Sequence, residues 1–207
     1  MKIETLEVSG FIPALHGMRN PKNSWDRGAS VQYAHDGIII GYADMKLAQQ
    51  LVVAGTEHSK FMRQIQVWAD FTMPRYWWSE ADTYGFGTKN SCSTMHTISN
   101  RHLTMEEFEI SVDDLLFTVY AIEDTIDTIN QMIDDYKTTK DYNYVIQIKK
   151  MLPESFLQMR TWNTNYAELR NIYFQRKNHR LKEEWIETFC KWIESLPYSK
   201  ELIMYEK

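Results

Sequence analysis

One segment restricts the fold more than any other part of the sequence. Residues 112–136 carry apolar side chains at helical spacing on one face and mostly acidic side chains on the other. We interpret the acidic face as solvated rather than metal-binding, because no convergent ligands accompany it. The pattern therefore predicts a long amphipathic helix whose apolar stripe must be covered by a second layer. The stripe consists of Leu115, Leu116, Val119, Ile122, Ile126, Ile129, Met132, Ile133 and Tyr136.

The remainder of the chain alternates between strand-like and helix-like patterns. Residues 2–8 and 64–74 alternate apolar and polar side chains, as half-buried strands do, and in the second run Ile65, Val67, Ala69 and Phe71 share a face. Glycines and prolines punctuate residues 10–25, which are predicted as loop-rich. Further helices are predicted at 43–54 with Gly55 as the C-cap, at 141–151, 165–177 and 180–195, and after Pro197, with a strand at 155–162.

These elements predict the α+β class: a modest antiparallel sheet packed against long helices, in a single domain spanning residues 1–207. A chain of this length can bury a core without disulfides or metals. The two cysteines, Cys92 and Cys190, lack metal-ligand spacing and suit a reducing compartment. No apolar run approaches the roughly 18 residues needed to span a bilayer. We expect a cytoplasmic protein with no membrane partner.

The charge balance argues against general nucleic-acid binding. Lys and Arg total 23 against 28 for Asp and Glu, so the formal net charge is −5. Affinity for nucleic acids rests mainly on Lys and Arg neutralising phosphates. A chain with this balance can still hold one small anion in a local basic cluster.

Two segments in the first half carry such clusters. Arg19 lies in a predicted loop beside Gly17, where it can bind a phosphate or carboxylate, or instead cap loop carbonyls. His58 follows a predicted helix end and precedes Lys60 and Arg63. These groups can bring positive charge to an anion or simply complement the helix terminus.

A third cluster lies in the C-terminal helices. Asn165 is a suitable N-cap. Arg176 and Arg180 are four residues apart on one face, where two guanidinium groups repel unless an anion or carboxylate lies between them. Glu183 and Glu184 can satisfy them within the chain, and both interpretations remain open.

Familiar catalytic motifs are missing from the sequence. There is no Ser-His-Asp order, nucleophile elbow, P-loop or HExxH zinc motif. The GFG of residues 85–87 lacks the remainder of a dinucleotide fingerprint. We therefore assign no catalytic residue and predict no metal site.

The C-terminal segment resembles the flavin-dependent thymidylate synthases. In that family an LP pair precedes a strand and then a helix of the pattern N-A-R-x-L-x-N-F-x-x-L-R. Here Leu152-Pro153 is followed by Asn165, Asn171 and Arg176 at the same spacing. The resemblance implies that the two asparagines contact FAD and that Arg176 contacts dUMP. It also implies a homotetramer with its sites at subunit interfaces.

A second match runs from His58 to His96. Aligning His58 with a histidine of the family's FAD loop brings the family signature, R-H-R-x-x-S-x-N-E-x-S-x-R-Y, onto TYGFGTKNSCSTMH without a gap. The resemblance then implies that His58 and Asn90 contact the cofactor and that Ser93 contacts the nucleotide. A nucleotide-contacting arginine of the family falls on Met159, with Arg160 one place later.

The signature has lost most of its charge. Its R-H-R triplet is replaced by Thr83-Tyr84-Gly85, and its later Arg by Met95. Each charge-assisted hydrogen bond contributes about 1.5–3 kcal/mol, so losing two or three weakens phosphate binding by several orders of magnitude. The cations that can compensate are Arg19, Lys60, Arg63, Arg75 and Lys89, and the backbone N–H groups of Gly85 and Gly87 can act in the same way.

Two hypotheses follow. In the first, the chain is a divergent flavin-dependent thymidylate synthase-like protein that binds FAD, a nucleotide or both in a remodelled site. If active, it is a flavin-dependent methyltransferase or oxidoreductase acting on a nucleotide, with ordinary thymidylate synthesis not expected. In the second, the same fold is a non-catalytic module that sequesters a nucleotide or binds a protein.

Overall fold

The computed structural model describes residues 1–33 and 37–206. Helices and strands are interspersed along the chain, with short 3-10 turns between some of them. The strands are β1 (Lys2–Ser9), β2 (Val31–Tyr33), β3 (Gly37–Ile39), β4 (Gln66–Pro74), β5 (Thr88–Ser91) and β6 (Leu157–Asn165). The helices are α1 (Phe11–Met18), α2 (Tyr42–Ala54), α3 (Arg75–Ala81), α4 (Thr94–Thr97), α5 (Leu116–Thr139), α6 (Asn143–Met151), α7 (Tyr166–Arg176) and α8 (Lys191–Ser195). A π-helical segment, Lys182–Cys190, leads into α8, and another covers Ser199–Ile203.

The main sheet is antiparallel and has four strands in the order β1-β4-β6-β5. A separate two-stranded ribbon pairs β2 with β3, with Val31 opposite Ile39. Along β4, buried and half-buried residues alternate as the period of two requires. The predicted apolar face of this strand is confirmed: Ile65, Val67, Ala69 and Phe71 are all completely buried. The predicted α+β class with an antiparallel sheet is therefore confirmed.

The prediction of a loop-rich stretch over residues 10–25 was wrong in its first half. Phe11–Met18 is a helix that buries Phe11, Ala14, Leu15 and Met18 at helical spacing. Pro13 lies in the first turn, where its missing N–H leaves no hydrogen bond unmade. Gly10 precedes the helix with a φ of 90°, and a side chain there would collide with the Gln64 carbonyl.

The chain divides into two compact units. The first consists of Met1–Lys2, Phe71–Thr83 and Asn90–Arg160. Its core is built on α5, where Ile122, Ile126, Ile129 and Ile133 are buried with the side chains of α6. The predicted stripe is thus confirmed over these turns, but Leu115 and Leu116 are 62% and 70% exposed. The helix begins at Leu116 rather than at Val112, and its first turn extends beyond the residues that form the core.

The second unit consists of Ile3–Asp70, Tyr84–Lys89 and Thr161–Lys207. It contains α1, α2, α7 and α8, and its core is rich in aromatic rings. Trp162 stacks on Phe189 at a centroid distance of 6.3 Å, and Trp185 meets Phe189 edge-on at 5.2 Å. The expectation of one domain over residues 1–207 stays a prediction.

Two features with functional meaning are not found in the part of the chain that the structure describes. None of its helices is long and apolar enough to cross a membrane. None of its His, Cys, Asp and Glu side chains gather in groups of three or more that could hold a metal ion.

Candidate functional site

A cavity of about 590 Å³ lies beside the first turns of α7, within the second unit. Its volume falls in the usual range for ligand pockets. The walls combine apolar and aromatic side chains with planar amides and three charged groups. The lining residues are Val52, Gly55, Thr56, Ser59, Met62, Arg63, Phe86, Asn165, Ala167, Glu168, Arg170, Asn171, Phe174 and Gln175.

The start of α7 determines which side chains reach this cavity. Asn165 is the N-cap, with extended backbone, and its side-chain oxygen accepts a hydrogen bond from the N–H of Glu168 at 3.0 Å. From that start, Glu168, Asn171 and Gln175 follow at spacings of three and four residues and share one helix face. The predicted cap is confirmed, and the same local chemistry places the polar residues along one wall.

A series of side-chain hydrogen bonds connects this wall to Arg176. Arg176 Nε donates to Tyr84 Oη at 2.7 Å, and Tyr84 Oη donates to Gln175 Oε1 at 3.1 Å. Gln175 Nε2 donates to Asn171 Oδ1 at 2.8 Å. We call these four residues the polar relay; their donors and acceptors are matched in one direction, which fixes each amide's orientation.

Aromatic rings enclose the guanidinium group of Arg176. Its central carbon lies 4.4 Å from the ring centroid of Trp185 and 5.4 Å from that of Tyr84. Nη1 is 2.9 Å from Nε2 of His179. Tyr84, only 8% exposed, is the residue that the predicted alignment places at the middle of the family's R-H-R triplet. It contacts the arginine that the same alignment predicts to bind the nucleotide.

The acidic residue Glu168 and two arginines supply the charges of the cavity lining. Burial raises the pKa of Glu168, while the nearby Asn171 amide and the charge of Lys89 lower it without reversing the shift. Arg170 Nη1 donates to the carbonyl of Ile203 at 2.5 Å, and its guanidinium lies on the ring of Phe174. Arg63, in contrast, is exposed. The lining thus holds one buried acid and two cationic groups.

The loop Tyr84–Lys89 is held by close packing at Gly87. This glycine has a φ of 122°, and a side chain there would overlap the indole of Trp162 and the carbonyl of Asn163. Lys89 Nζ lies 4.5 Å from the ring centroid of Trp162. The packing on Trp162 accounts for the glycine, and the proposed anion-binding role of the backbone at Gly85 and Gly87 stays a prediction.

His58 lines a second cavity in the same unit. This cavity measures about 670 Å³ and is also lined by Arg19 and Lys60. Lys60 pairs with Glu57 at 2.9 Å. The structure thus brings Asn165, Asn171 and Arg63 to one cavity, and His58, Lys60 and Arg19 to another.

Arg19 is held within the protein. Its side chain is 5% exposed, and Nε lies 2.6 Å from Oδ1 of Asp44. The other guanidinium nitrogens donate to the carbonyls of Ser24 and Arg27 at 3.2 Å. These contacts match the interpretation of Arg19 as a cap for loop carbonyls, and its role as an anion contact stays a prediction.

Four predicted site residues belong to the first unit. Arg160 donates to both carboxylate oxygens of Asp82, at 2.9 and 3.2 Å, and its guanidinium lies on the ring of Trp78. Arg75 Nη1 donates to the carbonyl of Leu152 at 3.0 Å, and Nη2 lies 3.3 Å from Glu154. Asn90 is exposed on β5, and Ser93 precedes α4. Their ligand roles stay predictions.

Three residues at the site were not predicted from the sequence: Glu168, Tyr84 and Gln175. For Glu168 a signal was present, because Asn followed three residues later by Glu is the sequence pattern of a helix start. For Tyr84 there was none, since its contact with Arg176 spans 92 positions. In the motif quoted above the third position is arginine, whereas here it is Ala167, which lines the cavity.

Comparison with known proteins defines the fold. No family model and no curated relative matches the sequence. Two solved structures of the flavin-dependent thymidylate synthase ThyX from Helicobacter pylori, both with FAD and dUMP, match with a TM-score of 0.72 and 16% identity. The match covers 98% of this chain and 98% or 97% of those chains. At this identity the likeness shows the fold: the chain has the fold of a flavin-dependent thymidylate synthase over nearly its whole length.

Proposed function

We propose that this chain binds a flavin cofactor, FAD, in the 590 Å³ cavity beside α7, as a divergent flavin-dependent thymidylate synthase-like protein. One observation carries the proposal: the two asparagines expected at the cofactor, Asn165 and Asn171, line a single cavity, together with Arg63. The solved structures with this fold hold FAD and dUMP. Planar amides and aromatic walls suit a heteroaromatic ligand, and an exposed arginine suits its phosphate.

The proposed nucleotide site differs from the one that the family resemblance implies. Arg176 donates to Tyr84 rather than standing open to a phosphate at Nε, and Arg160 Nη1 donates to both carboxylate oxygens of Asp82. Both cations that the resemblance assigns to the nucleotide therefore have partners in the chain. We infer that a nucleotide binds in a remodelled site at a subunit interface and that ordinary thymidylate synthesis is not the reaction.

Purification and ligand titration test the proposal. We expect the protein to carry a flavin absorbance band as isolated, or to take up added FAD with a rise in melting temperature. Asn171→Ala should weaken FAD uptake, because the variant loses an amide of the cavity wall. Asn143→Ala, which alters an exposed helical asparagine of the first unit, should leave FAD uptake unchanged.

Two results would contradict the proposal. One is a colourless protein that neither takes up FAD nor shifts its melting temperature with it. The other is FAD uptake that survives Asn171→Ala unaltered, which would place the cofactor elsewhere.

The exposed apolar residues at the start of α5 support self-association, which we propose to be a homotetramer. Val112, Leu115, Leu116, Phe117 and Tyr120 are each more than half exposed, within nine consecutive positions. Clustered exposed apolar side chains mark interaction surfaces. Light scattering at several protein concentrations tests the assembly. We also propose a cytoplasmic location, since both cysteines are free and Cys92 is exposed.

The second candidate function is a non-catalytic module that sequesters a nucleotide or binds a protein. The internal contacts of Arg176 and Arg160 favour it, because arginines that are already engaged within the chain stabilise developing charge poorly. Titration with dUMP separates the two functions. Stabilisation by dUMP without FAD uptake would support sequestration, while uptake of FAD supports the first proposal.

A further inference from the structure

Glu168 occupies an unusual place for a carboxylate. It is 8% exposed, yet it lines the 590 Å³ cavity, in the first turn of α7. Among the described residues that line this cavity it is the sole acid, and Arg63 and Arg170 are the cations. Burying a charged group is costly unless it is hydrogen-bonded or paired. A ligand that satisfies the carboxylate would offset part of that cost.

The chemistry of the lining restricts what Glu168 can recognise. An ionised carboxylate only accepts hydrogen bonds, so the ligand must offer donors. A cationic donor is disfavoured, because Arg63 and Arg170 share the lining and repel it. A neutral group with two adjacent donors matches the two carboxylate oxygens, and a vicinal diol is such a group.

The polar relay restricts the geometry further. Asn171 Oδ1 accepts from Gln175 Nε2, so the amino group is the end of Asn171 that remains to donate to a ligand in the cavity. The backbone N–H of Glu168 is held by Asn165. The main chain of Glu168 is therefore fixed from within the protein, which preorganises its place on the cavity wall for a ligand.

We propose that Glu168 is the residue through which the cavity recognises a ribose diol, that of the adenosine half of FAD. The inference rests on the proposed function and extends it by placing the adenosine half of the cofactor at Glu168. A carboxylate on ribose hydroxyls is a solution that other dinucleotide-binding folds use. The cationic side chains of the same lining suit the pyrophosphate that adjoins this ribose.

A comparison of FAD with FMN tests the assignment of the ribose diol to Glu168. FAD contains the adenosine ribose, whereas FMN shares the flavin but lacks that diol. We expect the wild-type protein to bind FAD more tightly than FMN. Glu168→Gln should lower FAD affinity about ten- to a hundredfold and change FMN affinity less than about twofold, since one hydrogen bond to a charged group is lost. Glu187→Gln, at an exposed acid of the same unit, is the matched control and should alter neither affinity.

The pH dependence supplies an independent readout. Burial raises the pKa of Glu168 above its ordinary 4.5, so FAD affinity should fall as the pH drops through that raised value. Glu168→Gln should remove this dependence. On the wild-type protein, ADP should bind more tightly than 2′-deoxy-ADP, a comparison that needs no variant to fold.

The outcomes separate the inference from the proposed function. If neither FAD nor FMN binds the wild-type protein, the proposed function fails and the inference falls with it. If FAD binds but Glu168→Gln weakens FAD and FMN equally, or weakens neither, the cofactor remains and the diol assignment is overturned. Equal binding of ADP and 2′-deoxy-ADP overturns the assignment as well.

Discussion

At the scale of single residues, Tyr84 connects the loop at residues 84–89 to helix α7. Its hydroxyl accepts from Arg176 Nε and donates to Gln175, while its ring lies against the same guanidinium. The phenol oxygen of Tyr84 accepts the hydrogen bond that the Nε–H of Arg176 could otherwise give to a ligand oxygen. If the predicted alignment with the family triplet holds, Tyr84 is an internal partner for Arg176 at a position where the family carries a charge.

We expect Tyr84→Phe to lower the free energy of unfolding by about 1–3 kcal/mol, because the variant leaves a half-buried arginine N–H without that acceptor. Urea denaturation of the two proteins measures the difference. Tyr120→Phe removes a hydroxyl from an exposed tyrosine and should stay within about 0.5 kcal/mol of wild type. Equal losses in the two variants would show that the Tyr84 hydroxyl contributes nothing specific.

At the scale of elements, α7 is both a structural helix and one wall of the cavity. The cap at Asn165 fixes the residue at which the helix begins. Glu168, Asn171 and Gln175 then share one face because they are spaced by three and four residues. A change in where α7 begins would therefore move each of these side chains together.

Asn165→Ala should lower the free energy of unfolding by about 1 kcal/mol, since the variant leaves the N–H of Glu168 uncapped. Asn165→Asp keeps an acceptor oxygen at the cap and should retain near wild-type stability. Denaturant midpoints of the three proteins measure the effect. A stable alanine variant beside an unstable aspartate variant would contradict the capping role.

A feature of the site could be predicted from the sequence when the residues that form it are close together in the chain. The cap at Asn165 and the spacing to Asn171 and Arg176 were predictable, because a helix fixes them within a few turns. Helix α1 was missed because Gly10, Pro13 and Gly17 have the composition of a loop, while the burial that stabilises the helix comes from distant residues. Glu168 was not recognised as a cavity residue, because its burial arises only once tertiary structure forms.

At the scale of the whole molecule, acid stability should depend on Asp44. Burial alone would raise the pKa of this carboxyl, but hydrogen bonds from Ser30 and the N–H of Ala29, and the Arg19 guanidinium, outweigh it and hold the pKa below its ordinary 3.8. A carboxyl whose pKa is lower in the folded state than in the unfolded state stabilises the fold when the pH lies above its unfolded-state pKa. This stabilisation is lost as the pH falls through its folded-state pKa. The contribution is therefore complete above about pH 5 and is lost at pH values below 3.8.

Asp44→Asn should destabilise the protein at neutral pH by about 3–5 kcal/mol, because Arg19 remains buried without its carboxylate. The difference from wild type should shrink as pH falls below 3.8. Urea denaturation across the acid range measures it. Asp26→Asn, at an exposed position of the same segment, is the control, and a difference for Asp44→Asn that does not change with pH would contradict the argument.

The cap of α7 also has a consequence for what the cavity can hold. Oδ1 of Asn165 accepts from the N–H of Glu168, so the cap uses the oxygen end of this amide. The amino end, Nδ2, makes no hydrogen bond within residues 1–33 and 37–206. Toward a ligand, Asn165 therefore acts as a donor and Glu168 as an acceptor, three residues apart on one wall. The same bond that begins the helix gives the wall a polarity, which favours a ligand with an acceptor facing Asn165 and a donor facing Glu168.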